Sequence, residues 1–253
     1  MGDLLTKMEF WSALIALIAV VLSQLPPART WFSKPKLDVE LHDQLSLGHT
    51  FGIPNLQVYV SMLNASQRPV RVRRTIFQIS TESGKAVTLR MVSHFPTAGS
   101  ATPVVVFPFT VGPSQEWSHI VNAATELDVS SDRRLSEMRT TVLQSFQNAK
   151  NGYESWKAGP RTTMPPVPAA DLAVMEKARA EFRQNFIWQS GEFRLVVEVE
   201  TDKGTFKSGT HRFTVFEGME VSLTSQVNGY AMGHGLLPDL PISGVTTKLR
   251  ASS

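Results

Sequence analysis

Cysteine is missing from this 253-residue chain, and with it every disulfide framework, Cys-ligated zinc site, iron–sulfur centre and thiol nucleophile. A large excess of one sign of charge is missing too. The 25 Lys and Arg face 22 Asp and Glu, and a net +3 spread along the sequence gives no argument for nucleic-acid binding. Catalytic signatures are also wanting. There is no GxSxG elbow, Walker loop or GxGxxG, and the glycine-rich stretch Gly229 to Gly235 is followed by no strand-to-helix crossover that could cradle a phosphate. The histidines His42, His49, His94, His119, His211 and His234 fall in separate segments, without the HxH, HxxxH or HExxH spacing of a metal site. The expectation is a protein that is not an enzyme and holds no cofactor and no metal.

What is present begins with one local extreme. Phe10 to Leu25 reads FWSALIALIAVVLSQL, sixteen residues without a charge. At roughly 1.5 Å per residue the run reaches about 24 Å, and Leu4 and Leu5 upstream extend it toward the roughly 30 Å hydrocarbon core. Trp11 and Trp31 fit aromatic belts at the two interfaces, and Pro26 and Pro27 stop the helix. A cleavable signal peptide would want a basic start, whereas Asp3 and Glu9 accompany a single Lys7. A buried core helix would show a one-sided apolar stripe, which is absent. The expectation is therefore a transmembrane signal-anchor over 10–25, carried by Trp11, Leu14, Leu17, Val20 and Leu22, after a short segment 1–9 and before a juxtamembrane linker 26–35. Arg29, Lys34 and Lys36 outweigh Lys7 and the amino terminus, which places the soluble part in the cytoplasm.

From Lys36 the apolar period becomes two. Leu37, Val39 and Leu41 alternate with Asp38, Glu40 and His42, and Leu56, Val58, Val60 and Met62 repeat the pattern. Further strands are expected over 70–79, 86–92, 104–111, 115–121, 193–200, 205–216 and 219–224, separated by Pro- and Gly-rich breakers such as Asp202-Lys203-Gly204. Short strands at this spacing predict an antiparallel β-sandwich of immunoglobulin or fibronectin-III type over 36–226. Between them the period turns helical. Leu135, Met138, Val142, Phe146, Ala149, Tyr153 and Trp156 share one helix face, with Ser130 and Ser131 as natural N-caps. After Pro160, Pro165, Pro166 and Pro168 a second helix is expected from Asp171 to Ile187. The pair reads as an inserted α-helical hairpin over about 130–187. The remainder, 227–253, is rich in Gly and Pro without sustained period and is expected to be a flexible tail.

Arg68, Arg71, Arg73 and Arg74 form the densest basic cluster. Phe77 and Ile79 share the parity of Arg71 and Arg73, so a regular strand would bury arginines, and a bulge is expected near Arg73 to Thr75. Four guanidiniums suit a phosphate, an anionic lipid headgroup or an acidic partner; the plain alternative is a solvated strand face whose charges discourage edge pairing. Asn64-Ala65-Ser66 is a formal glycosylation acceptor. Taken together, the sequence predicts a single-pass membrane protein whose cytoplasmic sandwich and helical insertion recruit or assemble a protein partner or a second copy, with a further contact to anionic lipid and none to nucleic acid. The alternatives are an adhesion or envelope-assembly module on the outer side, or a membrane-bound hydrolase.

Overall fold

The alternation that starts at Leu37 becomes a hydrogen-bonded ladder in the structure, a computed structural model that describes residues 2–24, 34–82, 84–97, 99–100, 102–160, 164–237, 239–240 and 244–252. Strands β1 (Leu37–Thr50) and β2 (Ile53–Asn64) pair antiparallel around a tight turn at Phe51 and Gly52, both of positive φ. They are followed by β3 (Val70–Thr81), β4 (Ala86–His94), β5 (Val104–Val105), β6 (Phe109–Val111) and β7 (Glu116–Thr125). After two helices come β8 (Gly191–Thr201), β9 (Gly204–Lys207) and β10 (His211–Val215), and finally β11 (Val245–Lys248) and β12 (Arg250–Ala251). Four α-helices accompany them among the described residues: α1 (Gly2–Gln24), α2 (Val129–Ala158), α3 (Leu172–Asn185) and α4 (Glu217–Gly229).

The protein is mainly β and antiparallel, as its sequence predicts. Among the described residues all twelve strands belong to one sheet, in the order β11-β1-β2-β7-β4-β3-β8-β10-β12, with β5, β6 and β9 pairing on β4, β3 and β8. The two ends of that order are nearly one strand. Residues 245–248 pair with β1, residues 250–251 pair with β10, and between them the Leu249 N–H donates to the Asp43 carbonyl at 2.7 Å. The sheet thus nearly closes on itself as a barrel, which leaves few backbone groups unpaired at an edge. Inward-facing Leu45, Leu47, Val60, Phe77, Leu89, Leu195 and Val197 fill its interior. Trp188, wholly buried, seals the wall by donating Nε1–H to the Gly48 carbonyl at 2.8 Å beside the stacked rings of Phe193 and Phe213.

A second core lies in a helical layer over the β1–β2 turn. Val142 and Phe146 of α2, Met175, Ala178 and Phe182 of α3, Val227 of α4, and Tyr230 and Leu236 beyond it close around Phe51. The expected hairpin of α2 and α3 is present, pinned by the Arg134–Glu181 ion pair at 3.0 Å. The N-cap of α2 is Asp128, two residues before the expected Ser130; its carboxylate accepts from the Ser131 N–H at 2.8 Å.

Two expectations are corrected. The strand expected over 219–224 is part of α4. Met219, Val221 and Leu223 alternate along the sequence, yet Val221 is 67% exposed while Leu223, Val227 and Tyr230 are buried at helical spacing. The stretch 227–253, expected to be flexible, carries the end of α4, a short 3-10 turn at Tyr230–Met232 and the two closing strands. Its glycines serve turns: Gly233 and Gly235 adopt φ of 84° and 69°.

The described residues hold only part of the expected anchor region. Residues 2–24 form α1, but among the described residues no helix is long and apolar enough to cross a membrane. Leu25, Pro26, Pro27, Arg29 and Trp31, and with them most of the expected linker, lie outside the described residues.

Candidate functional site

The barrel has two unlike ends. At one, the β1–β2 turn drives Phe51 into the helical layer, where its ring lies 4.4 Å from that of Tyr230. A buried polar node holds the two parts together. The Leu223 carbonyl only accepts, so His49 donates to it from Nε2 at 2.8 Å, which leaves Nδ1 as an acceptor. The Tyr230 hydroxyl and the Gly52 N–H both donate to that nitrogen at 3.3 Å, and the tyrosine oxygen accepts from the Phe51 N–H at 3.1 Å. Burial lowers the His49 pKa, the Leu223 hydrogen bond opposing it in part, and raises the Tyr230 hydroxyl to about 12. Gly52 has φ +86°, and a Cβ there would fall 2.4 Å from the Phe182 carbonyl oxygen.

Beside this node the outer face of β1, β2 and β7 and the overlying chain enclose a cleft of about 710 Å³. Its floor is a neutral chain of amides: Gln57 Nε2 donates to Asn122 Oδ1 at 3.0 Å, and Asn122 Nδ2 to Ser93 Oγ at 2.9 Å. Arg139 of α2 reaches over the rim to the Leu236 carbonyl at 3.3 Å. Among the described residues no group of three His, Asp or Glu side chains is arranged to hold a metal ion.

The opposite end carries the arginines. β3 shows the expected bulge: its pairing with β8 shifts between Val72 and Arg74, so Arg73 is the extra residue. Arg71, Arg73 and Arg74 all face outward while Val72, Thr75 and Phe77 face in, and Arg68 stands exposed on the β2–β3 turn. Arg74 approaches Glu200 at 4.0 Å. Among the described residues none of Arg68, Arg71 and Arg73 is ion-paired. The turn that presents Arg68 is built on Asn64, fully buried, whose Nδ2 donates to the carbonyls of Arg68, Val111 and Gly112 at 2.8, 2.9 and 3.0 Å. Its Oδ1 accepts from the Ser66 N–H and hydroxyl, so this asparagine, a formal glycosylation acceptor by sequence, is a buried structural hub.

Two further cations stand at this end, Lys34 and Lys36, both exposed at the entry to β1. A lysine that the sequence did not single out joins them. Lys203, at the tip of the β8–β9 hairpin, lines one small cleft with Pro35, Ser66 and Arg68. It was illegible because the sequence separates it from Arg68 by most of the barrel; only the pairing of β3 with β8 brings the two turns together. Of the expected anchor residues, Trp11, Leu17 and Val20 are exposed on α1 and Leu14 half-buried, whereas the side chain of Leu22 lies outside the described residues.

No family model matches this chain, and no curated protein does. Among solved structures it is similar to the sporulation control protein Spo0M of Bacillus subtilis, at 12% identity over 77% of this chain and 56% of that one, with a TM-score of 0.27. The chain thus spans little more than half the length of that protein, and a likeness at this level carries no argument about fold or function.

Proposed function

We propose that this is a single-pass membrane-anchored binding or scaffold protein, whose barrel and helical layer stand in the cytoplasm and recruit or assemble a protein partner. The observation that carries the proposal is the state of α1. Met8, Phe10, Trp11, Ile15, Leu17, Ile18 and Val20 are all exposed, and none of its described residues belongs to either core. So many exposed apolar side chains on one helix need a lipid or protein environment to cover them. The barrel fills and nearly closes without it. Arg29, Lys34 and Lys36 favour the cytoplasmic side by the excess of positive charge next to the anchor.

In this reading the nearly closed sheet is used as an immunoglobulin- or fibronectin-III-like sandwich is used, a rigid body that displays loops and an added helical layer to a partner. Exposed Leu172, Phe216 and Val221 on and beside the helices favour that layer as the surface for a protein partner or a second copy.

The test is fractionation of cells that make the full chain. The native protein should sediment with membranes and resist alkaline washing, and replacing Ile15 and Ile18 together by lysine should move it to the soluble fraction. A native chain found in the soluble fraction would overturn the anchor. Protease added to intact and to lysed cells reads the side: digestion before lysis favours the adhesion or envelope-assembly alternative.

A further inference from the structure

The basic cluster read along the sequence as four arginines is, in three dimensions, a different set of residues gathered at the end of the barrel where the chain arrives from α1. Four backbone segments meet there. The Ala65 N–H donates to the Lys36 carbonyl at 3.0 Å, which ties the β2–β3 turn to the entry of β1. The Asn64 N–H donates to the Gln115 carbonyl at 2.9 Å, which adds the β6–β7 turn. Arg71 and Asp202 exchange bonds, the Arg71 N–H donating to Asp202 Oδ1 at 3.0 Å and the Asp202 N–H to the Arg71 carbonyl at 3.1 Å, which adds the β8–β9 hairpin. Lys203 on that hairpin then stands by Arg68 across a shared cleft.

The charges at this end do not cancel. Lys36 lies 3.3 Å from Asp38 and Lys203 3.2 Å from Asp202, in exposed pairs that leave each ammonium further donors. Arg68, Arg71 and Arg73 are exposed and, among the described residues, carry no ion pair. An unpaired guanidinium offers a fork of donors matched to phosphate oxygens. Three of them beside lysines, on backbone fixed by the buried Asn64, make a preformed cationic rim.

Geometry names the occupant. Gln24 ends α1 and Lys34 begins the described part of the barrel, ten peptide units on. Even fully extended, those units span at most about 36 Å. The rim is therefore the end of the barrel nearer to α1 along the chain, while the helical layer sits at the other end. We infer that Arg68, Arg71 and Arg73, with Lys203, form a headgroup-binding rim that docks the anchor-proximal end of the barrel on anionic lipid and turns the helical layer away from the bilayer. This rests on the membrane anchor proposed above, and it goes further by fixing which end of the barrel meets the lipid and through which side chains. Attraction of this kind falls off within about 10 Å at 0.1 M salt and about 3 Å at 1 M.

The absence of native cysteine allows a single-site label in the full chain. Gln67→Cys, carrying a fluorophore on the β2–β3 turn, is compared with Ser136→Cys on α2 in nanodiscs of phosphatidylcholine alone or with a third of phosphatidylserine, each doped with a headgroup quencher. The expected result is a severalfold rise in quenching at position 67 when phosphatidylserine is present, lost in 1 M salt and lost in Arg68→Gln/Arg71→Gln/Arg73→Gln, with no rise at position 136. Equal quenching at position 67 in both lipids, in a chain that has entered the nanodiscs, overturns the rim while leaving the anchor intact. A chain that enters neither nanodisc overturns the anchor, and the rim with it. Displacement of the label by millimolar inorganic phosphate would assign the arginines to a free phosphate instead, and displacement by polyglutamate would assign them to an acidic protein; either result overturns lipid docking. A near-ultraviolet spectrum unchanged in the triple variant keeps loss of quenching from being loss of fold.

Discussion

Tyr230 and His49 show at the scale of single residues how the helical layer is held to the barrel. The Tyr230 hydroxyl is at once a donor to the His49 ring and an acceptor from the Phe51 N–H, in a wholly buried place. Tyr230→Phe keeps the ring contact with Phe51 and removes both hydrogen bonds, stranding a buried N–H. The expected loss is about 1–3 kcal/mol in equilibrium denaturation, and a loss below about 0.5 kcal/mol would show that the node does not contribute. His49 gives the node a pH dependence. Burial lowers its pKa in the folded chain, so below about pH 6.5 the unfolded chain takes up its proton first and stability falls as pH falls. The slope approaches about 1.4 kcal/mol per pH unit until the lower folded pKa is reached, and above about pH 7.5 the group contributes no pH dependence. His94, lowered by burial and then by the neighbouring His119, acts in the same direction. Replacing His49 by Gln should flatten the wild-type curve below pH 6.5. Parallel curves for the two proteins would exclude the histidine as the source.

Single elements show what the sequence could and could not say. The bulge in β3 was legible because Phe77 and Ile79 must face inward and the arginines must not; parity alone required one extra residue. The long face of α2 was legible from spacing, and its start was misplaced by two residues because Asp128, Ser130 and Ser131 are all good caps and only the geometry selects the carboxylate. That carboxylate, bonded first by the Ser130 hydroxyl and then by the Ser131 N–H, has its pKa lowered to about 2. Asp128→Ala should therefore lower stability at neutral pH, and the difference from the native protein should shrink as acid protonates the native cap below its usual range. A difference undiminished at pH 2 would argue against the cap. By contrast α4 was illegible, since a helix packed on only one narrow side carries too few apolar positions to distinguish a period of 3.6 from one of two. The basic cluster at the end where β1 begins was half legible: Arg68, Arg71, Arg73 and Arg74 lie close together in the sequence, but Lys203 joins them only through the ladder.

At the scale of the whole molecule, the strands of residues 245–251 decide whether the sheet is open or closed. They are short and polar, and β11 finds its partner β1 at the start of the barrel, which is why nothing in their local pattern revealed them. Leu249, at the junction of β11 and β12, is 6% exposed. Leu249→Ala should cost about 2–4 kcal/mol and speed amide exchange first at Gln44–Leu47 and His211–Arg212, the two edges that the strand covers. Acceleration spread evenly over β2 and β3 as well would mean that closure is not a separate step.

The closure also sets an order in time. Residues of β1 are made well before those of β11, so during synthesis the edge of β1 that β11 covers has no partner until residues 245–248 have been made. A nascent chain in that state offers its neighbours the same hydrogen-bonding template that its own last strands will take. Shortening the chain by its final strands would thus leave a protein with most of its core in place and a lasting tendency to pair with copies of itself.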